Sequence, residues 1–117
     1  MAGLTTHVLD LTHGQPADNI KIDLYFLESK EWRLVKTAVT NKDGRLEHPL
    51  LSDDDVKIGT FELVYHIGDY FQSKNIEIPS PAFLDQVPVR FGIANPESHY
   101  HVPLLISPWG YQIYRGS

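Results

Sequence analysis

Apolar and polar residues alternate with a period of two along much of this chain, and this pattern restricts it to β-structure. The clearest segment is residues 20–27, where every second residue is large and apolar: Ile20, Ile22, Leu24 and Phe26. Residues 87–93 repeat the pattern, with Pro88 at a place typical of an edge strand or a strand start. Because successive side chains of a strand point to opposite faces, both segments are predicted as strands with one face in a core.

Seven segments in all are predicted as strands: residues 5–11, 20–27, 32–40, 61–65, 87–93, 100–107 and 111–115. Turn-rich stretches such as HGQPADN, NKDG, ANPES and SPWG separate them. Residues 67–74 lack the alternation and are predicted as one short helix or a turn, and the acidic residues 51–55 as a solvated loop. This many short strands in 117 residues predicts an all-β chain, a two-sheet β-sandwich in a single domain of residues 1–117.

Composition excludes several classes of function. The chain has 15 acidic and 10 basic residues, a net charge of −5, which is the wrong sign for holding nucleic acid. It has no cysteine, so disulfides, thiolate nucleophiles and cysteine-based metal sites are excluded. The opening MAGLTTHVLDL lacks the pattern of a secretory leader, and no apolar run is long enough to span a membrane. We therefore expect a cytoplasmic protein without nucleic-acid or membrane partners.

The chain has six histidines, and three of them stand at positions of chemical interest. His99 and His101 are two residues apart in a predicted strand, so their side chains share a face. His7, in the first predicted strand, is a conceivable third ligand for a zinc ion held by that pair. The alternative is that each is an ordinary strand residue satisfied by hydrogen bonds or water, and the pattern favours it.

Arg45 and the chain end carry further candidate groups. Arg45 follows the Asp43-Gly44 turn and is predicted to begin the next strand. Beside the histidines, its permanent charge would bind an anionic substrate and keep a neighbouring imidazole neutral. The hydroxyl and terminal carboxylate of Ser117 can bind a ligand by hydrogen bonds if the last strand is held in place.

Three separate segments resemble a known family. LTTHVLDLTHGQPA at residues 4–17, NKDGRL at 41–46 and HYHVPLLISPWGYQIYRGS at 99–117 are similar to segments of the transthyretin-like proteins, within them the 5-hydroxyisourate hydrolases. The terminal Tyr-Arg-Gly-Ser separates these hydrolases from the hormone-carrying transthyretins. Gln112 and Ile113 depart from the Ser-Thr that more often precedes this ending.

The resemblance implies a transthyretin-like (prealbumin-like) sandwich that assembles as a homotetramer around a channel. The last two strands would line this channel, and a neighbouring subunit would hold the terminus. The implied reaction is hydrolysis of 5-hydroxyisourate to 2-oxo-4-hydroxy-4-carboxy-5-ureidoimidazoline in urate degradation. It implies no metal and no organic cofactor.

The resemblance also implies roles for individual residues. His7 and His101 would position and deprotonate the attacking water, with the principal base left open between them, and His99 would support them. Arg45 would bind substrate oxygens and stabilise the charge of the tetrahedral intermediate. The remaining substrate-binding residues would be those of the terminal tetrapeptide: Tyr114, Arg115, Gly116 and Ser117.

The sequence also allows three other hypotheses of function. The same sandwich can serve as a carrier of a small aromatic ligand, as in the transthyretins themselves, since a fold does not determine function. A zinc hydrolase would use His7, His99 and His101, and a structural adaptor would need only a surface patch. A peroxisomal location is conceivable in a eukaryote, although the chain end is not of the Ser-Lys-Leu type.

Overall fold

The computed structural model describes residues 2–117 and consists mainly of strands. The elements in chain order are β1 (Gly3–Asp10), β2 (Gln15–Pro16), β3 (Lys21–Glu28), β4 (Glu31–Val39), β5 (Gly59–Tyr65), α1 (Ile67–Gln72), β6 (Val87–Ile93), β7 (His99–Ser107) and β8 (Gly110–Ile113). Each of the seven predicted strands is present with bounds that differ by at most two residues. The predicted helix at 67–74 is also present, two residues shorter.

The strands form two four-stranded sheets, with the orders β2-β1-β7-β8 and β4-β3-β5-β6. Neighbouring strands are antiparallel except for β1 and β7, which run parallel. The prediction of an all-β, two-sheet sandwich with one short helix is confirmed. No helix among residues 2–117 combines the length and the apolar character that crossing a membrane requires.

The core lies between the sheets and is built from the alternating apolar positions. Ile22, Leu24 and Phe26 of β3 are buried, as the period of two predicts. The alternation is also present in β6. Pro88 lies in this edge strand, where proline is tolerated because one side of the strand has no hydrogen-bonded neighbour. The first sheet supplies the opposing buried side chains: Leu4, Val8, Leu104 and Ile106.

A buried carboxylate joins the end of β1 to helix α1. Asp10, 1% exposed, accepts hydrogen bonds from the Tyr70 hydroxyl (2.7 Å) and from the Thr12 backbone N–H (2.9 Å). The His13 ring and backbone N–H also donate to it. Burial raises the pKa of Asp10, but these hydrogen bonds outweigh burial and lower it. The Asp10 side chain is therefore a carboxylate anion in the folded protein at neutral pH.

Two local predictions between β4 and β5 need correction. Arg45 does not begin a strand, because residues 41–50 form turns and irregular backbone. The expected solvated loop at 51–55 begins with Leu51, which is buried and donates and accepts backbone hydrogen bonds with Leu4. Only the acidic part is exposed, and Asp53–Asp55 forms a short 3-10 turn. In both places the segment packs along β1, which the local pattern does not reveal.

The chain end is attached to β7 of the same chain. The Gly116 N–H donates to the His101 carbonyl oxygen at 2.7 Å, and Arg115 Nη2 donates to the His99 carbonyl oxygen at 3.3 Å. The resemblance implied that a neighbouring subunit holds the terminus. Backbone pairing within one chain already attaches it to β7.

We predict that Asp10→Asn lowers the free energy of unfolding by about 2 kcal/mol, since a charged acceptor of several buried hydrogen bonds is lost. The lowered pKa of Asp10 means that its contribution is present above about pH 4 and disappears as the pH falls through the folded-state value. Urea unfolding of both proteins between pH 7 and pH 3 measures this difference.

The matched control is Asp54→Asn, a change at an exposed carboxylate of the 3-10 turn. It is expected to leave stability within about 0.5 kcal/mol of the parent. A gap between Asp10→Asn and the parent that stays constant down to pH 3 would contradict the assignment.

Candidate active site

The parallel pairing of β1 with β7 brings three predicted site residues onto the outer face of one sheet. The register sets Gly3 opposite His99, Thr5 opposite His101 and His7 opposite Pro103. Residues on the other face of β1, such as Thr6 and Val8, are buried in the sandwich. The odd-numbered positions of both strands therefore face outward, and the side chains of Thr5, His99 and His101 lie together.

A tight turn places Arg45 beside this face. The Asn41 side-chain oxygen accepts hydrogen bonds from the backbone N–H groups of Asp43 (2.9 Å) and Arg45 (3.2 Å). The turn docks on β1 through a bond from the Val8 N–H to the Gly44 carbonyl oxygen at 2.8 Å. A Cβ at Gly44, where φ is +72°, would lie 2.3 Å from the Val8 carbonyl oxygen. Only glycine allows this approach.

A cavity of about 450 Å³ opens over the histidine pair. Its wall combines the outer face of β1 and β7, the loop after the Asn41 turn and the last residue of the chain: Thr5, Arg45, Glu47, His48, His99, His101 and Ser117. This size suits a small bicyclic molecule. Four of the predicted site residues, Arg45, His99, His101 and Ser117, therefore lie around one space.

His7 lies beside this cavity rather than in its wall. Its Nε2 is 2.9 Å from the Asp43 carbonyl oxygen, and since a carbonyl only accepts, Nε2 carries the proton. Burial and the nearby Arg45 charge lower the pKa of His7. At neutral pH the ring is therefore uncharged, with its lone pair on Nδ1.

His101 occupies the centre of the site. Its Nδ1 is 2.8 Å from Thr5 Oγ1, and no hydrogen bond within residues 2–117 engages its Nε2. Burial first, then the charge of Arg45 and the other two histidines, lower the pKa of His101. The ring is neutral near pH 7, as a general base requires.

The terminal tetrapeptide divides between two places. Ser117 lines the histidine cavity, whereas Tyr114 and Arg115 line a separate cavity of about 410 Å³ beside β6. The Arg115 guanidinium stacks 4.1 Å from the centre of the Tyr100 ring. Gly116 packs against the His101 ring, since a Cβ there would lie 2.8 Å from its Cδ2. Within one chain, Tyr114 and Arg115 thus do not line the histidine cavity, and Arg115 contacts only the backbone of His99.

Sequence reasoning passed over three residues of this site. Thr5 forms hydrogen bonds to both His99 and His101, and Glu47 and His48 line the cavity. Thr5 is two residues before His7 and so shares its face, which is the one signal in the sequence that points to it. The loop residues carried no such signal.

The histidines do not form a metal-ligand set within the chain. Among residues 2–117, no group of three histidine, aspartate or glutamate side chains is placed to hold a metal ion. His7, His99 and His101, the ligands of the zinc alternative, therefore do not converge on one point in this chain.

A family model matches nearly the whole chain. The model described as HIUase/Transthyretin family covers residues 4–116. The chain belongs to this family. All three sequence segments that carry the resemblance lie within the match, apart from the last residue, so the recognition of the transthyretin-like family is confirmed.

Two bacterial relatives resemble the chain over its full length. It is 57% identical to 5-hydroxyisourate hydrolase 2 of Rhizobium meliloti, over 97% of this chain and 95% of the relative. It is 52% identical to 5-hydroxyisourate hydrolase of Pseudomonas aeruginosa, over 100% of this chain and 93% of the relative.

Solved structures share the fold. The crystal structure of (S)-allantoin synthase matches with a TM-score of 0.92 and 45% identity, and the match covers 99% of this chain and 44% of that chain. This chain therefore corresponds to less than half of that protein. Transthyretin from Sparus aurata matches with a TM-score of 0.86 and 23% identity, covering 99% of this chain and 97% of that chain. The second likeness concerns the fold alone.

We predict that Arg45→Gln raises the pKa values of His7 and His101, because a nearby positive charge that opposes protonation is removed. Both values should stay below 6.5, since burial continues to act. NMR titration of the imidazole Cε1–H signals measures the change. Lys42→Gln, an exposed cation of the same turn, is the control and should move neither. Unchanged titrations in Arg45→Gln would contradict the described electrostatics.

Proposed function

We propose that this chain is an enzyme that hydrolyses 5-hydroxyisourate to 2-oxo-4-hydroxy-4-carboxy-5-ureidoimidazoline. The observation that carries the proposal is the full-length identity above one half with two bacterial 5-hydroxyisourate hydrolases. The sequence-based prediction of this hydrolase is thereby confirmed. The site offers uncharged imidazoles and a guanidinium around a cavity of suitable volume.

The imidazoles of His7 and His101 act on the attacking water. Each ring has one nitrogen engaged within the protein, Nε2 of His7 on the Asp43 carbonyl oxygen and Nδ1 of His101 on Thr5. The other nitrogen of each ring is free for water or substrate. Because the pKa of both is lowered, each begins the reaction as a base rather than as an acid.

Arg45 binds the substrate and stabilises charge that develops on it. Its guanidinium is exposed at the cavity, and within residues 2–117 no side-chain acceptor engages it. A planar guanidinium contacts two oxygens at once, which orients a urate-like ring. As water attacks the carbonyl, the same group stabilises the oxyanion. The docked turn holds the Arg45 backbone beside the histidines before substrate binds.

The terminal tetrapeptide completes the substrate site. Ser117 donates from its hydroxyl to the substrate, and Gly116 and Arg115 hold it at the cavity through their bonds to β7. Tyr114 is half exposed in the second cavity. It contributes across a subunit boundary, in a homotetramer whose channel is lined by β7 and β8. Gln112 and Ile113 shape that channel.

We also propose that residues 1–117 act as one domain of a cytoplasmic enzyme that requires no metal and no organic cofactor. The lack of cysteine fits a reducing compartment. Exposed apolar side chains at Leu11, Trp109 and Tyr111 fit a chain that associates with copies of itself.

We predict that the parent protein accelerates the absorbance decay of 5-hydroxyisourate generated in place by urate oxidase, in proportion to its concentration. His101→Asn should lower kcat by about 100-fold or more, since general-base catalysis contributes at least that factor. Arg45→Lys should raise KM and lower kcat, because a point charge does not replace the bidentate contact.

The control variant is Lys42→Gln, at an exposed cation of the Asn41 turn that does not line the cavity. It should retain activity within a few-fold. All variants must elute at the parent's size in gel filtration, at four times the chain mass. Spontaneous decay with the correctly assembled parent would reject the hydrolase, and tight binding of an aromatic ligand would then support the carrier.

We predict that prolonged treatment with a chelator, followed by removal of the chelator and metal analysis, leaves activity unchanged. The chemistry described above takes its proton acceptors and its charge from side chains alone. Loss of activity that added Zn²⁺ restores would instead establish the zinc hydrolase.

A further inference from the structure

Thr5 lies between two imidazoles on the outer face of the sheet. Its Oγ1 is 3.1 Å from Nε2 of His99 and 2.8 Å from Nδ1 of His101. The register explains this contact, because Thr5 is directly opposite His101 and His99 is two residues away on the same face. The half-buried hydroxyl thus connects a half-buried ring to an exposed one.

The single hydroxyl proton of Thr5 can be donated to only one of the two imidazoles at a time. This restricts which nitrogen of each neutral ring carries a proton. A threonine hydroxyl donates one hydrogen bond and accepts others. If it donates to His101 Nδ1, the His99 Nε2–H donates to it, and both neutral rings carry their proton on Nε2. If it donates to His99 Nε2, the His101 Nδ1–H donates to it, and both rings carry their proton on Nδ1. Within residues 2–117 Thr5 Oγ1 has no other hydrogen-bond partner, so its proton goes to one of these two rings and the rings have matching tautomers.

We propose that Thr5 is a positioning residue that couples the protonation of His101 to His99 and relays a proton between them. This inference rests on the proposed function, in which His101 takes a proton from water.

The relay is balanced at each atom. In the Nδ1–H arrangement, His101 Nε2 accepts a water proton, its Nδ1 proton moves to Thr5 Oγ1, and the threonine proton moves to His99 Nε2. His101 is then neutral with its proton on Nε2, and the positive charge is on His99. When the His101 Nε2–H protonates the departing ring nitrogen, the same three transfers run in reverse. No proton is gained or lost over the cycle.

The surroundings favour movement of the charge outward. Towards His101 face Arg45, Glu47 and His48 from the loop, with His7 from β1 and Ser117 at the chain end. The permanent charge of Arg45 opposes a lasting positive charge on His101. His99 is the exposed partner, so its charge is solvated by water.

Gly116 keeps the His101 ring in the orientation that the relay needs. The Gly116 backbone packs on the ring so closely that a Cβ would lie 2.8 Å from Cδ2 and 3.3 Å from Cγ of Pro103. With Thr5 bound at Nδ1 and Gly116 against Cδ2, a flipped ring would lose the hydrogen bond. The glycine of the terminal tetrapeptide thus acts on the ring as well as on the chain end.

The first test measures tautomers without substrate. We predict that ¹⁵N NMR of the ring nitrogens shows the same Nδ1–H fraction in neutral His99 as in neutral His101. In Thr5→Val the tautomer fraction of one ring should no longer match that of the other. Different tautomers in the parent protein would overturn the coupling. Because no turnover is involved, this result is separate from the fate of the proposed function.

The second test measures the reaction. Thr5→Val should lower kcat about tenfold or more with KM within about twofold. It should also move the acid limb of the pH profile to lower pH, because protonated His101 loses its acceptor. Thr5→Ser, which keeps the hydroxyl, should have the kcat and the pH profile of the parent protein. If Thr5→Val does not fold, Thr5→Ser and His99→Asn carry the test, since only His99→Asn should reduce kcat.

The matched control is Thr12→Val, at an exposed threonine whose side chain has no hydrogen bond in residues 2–117. It should leave kcat and the pH profile unchanged. The double variant Thr5→Val/His99→Asn should be no slower than the slower single variant, since both remove one relay. Additive losses, or full activity in Thr5→Val, would overturn the proposal.

Discussion

The parallel pairing of β1 with β7 is the contact on which the rest of the site depends. Its register places Thr5 opposite His101, and a slip of one residue would send every outward side chain into the core. β1 also supplies the backbone groups that anchor the Asn41 turn and the 50–51 segment. The strand thereby fixes the histidines, Arg45 and the cavity wall relative to one another. β1 thus contacts three segments that are distant in sequence: β7, the Asn41 turn and residues 50–51.

Charge within the site is arranged so that bases stay neutral beside a permanent cation. Arg45 is near enough to lower the pKa of His7 and His101, and burial acts in the same direction. The turn that carries the arginine also supplies the Asp43 carbonyl oxygen that sets the proton of His7. One short segment thus presents a cation to the cavity, fixes the tautomer of His7 and lowers the pKa of two imidazoles. Glycine at position 44 is required for this, because no side chain fits against β1.

The structure combines a rigid support with reactive groups on its outer face. Buried polar residues such as Asp10 and Tyr70 fasten the strand end to the helix, far along β1 from the histidine pair. The reactive side chains are half-buried or exposed, where substrate and solvent reach them. Ordering of the chain end by β7 extends this support to Ser117. The geometry of the site therefore depends on the backbone pairing of β1 with β7 and with the docked turn.

The strands follow from the sequence alone, because alternation with a period of two is a local consequence of burying one face. The family also follows from the sequence, through three short segments whose order and spacing are distinctive. Three features are visible only in the folded chain: residue 45 lies in a docked turn, Thr5 joins two histidines, and Tyr114 and Ser117 line different cavities. The first two features arise from contacts between residues 36 to 96 positions apart, and no local pattern records such pairing. Physical contact between strands, rather than propensity, brings those groups together.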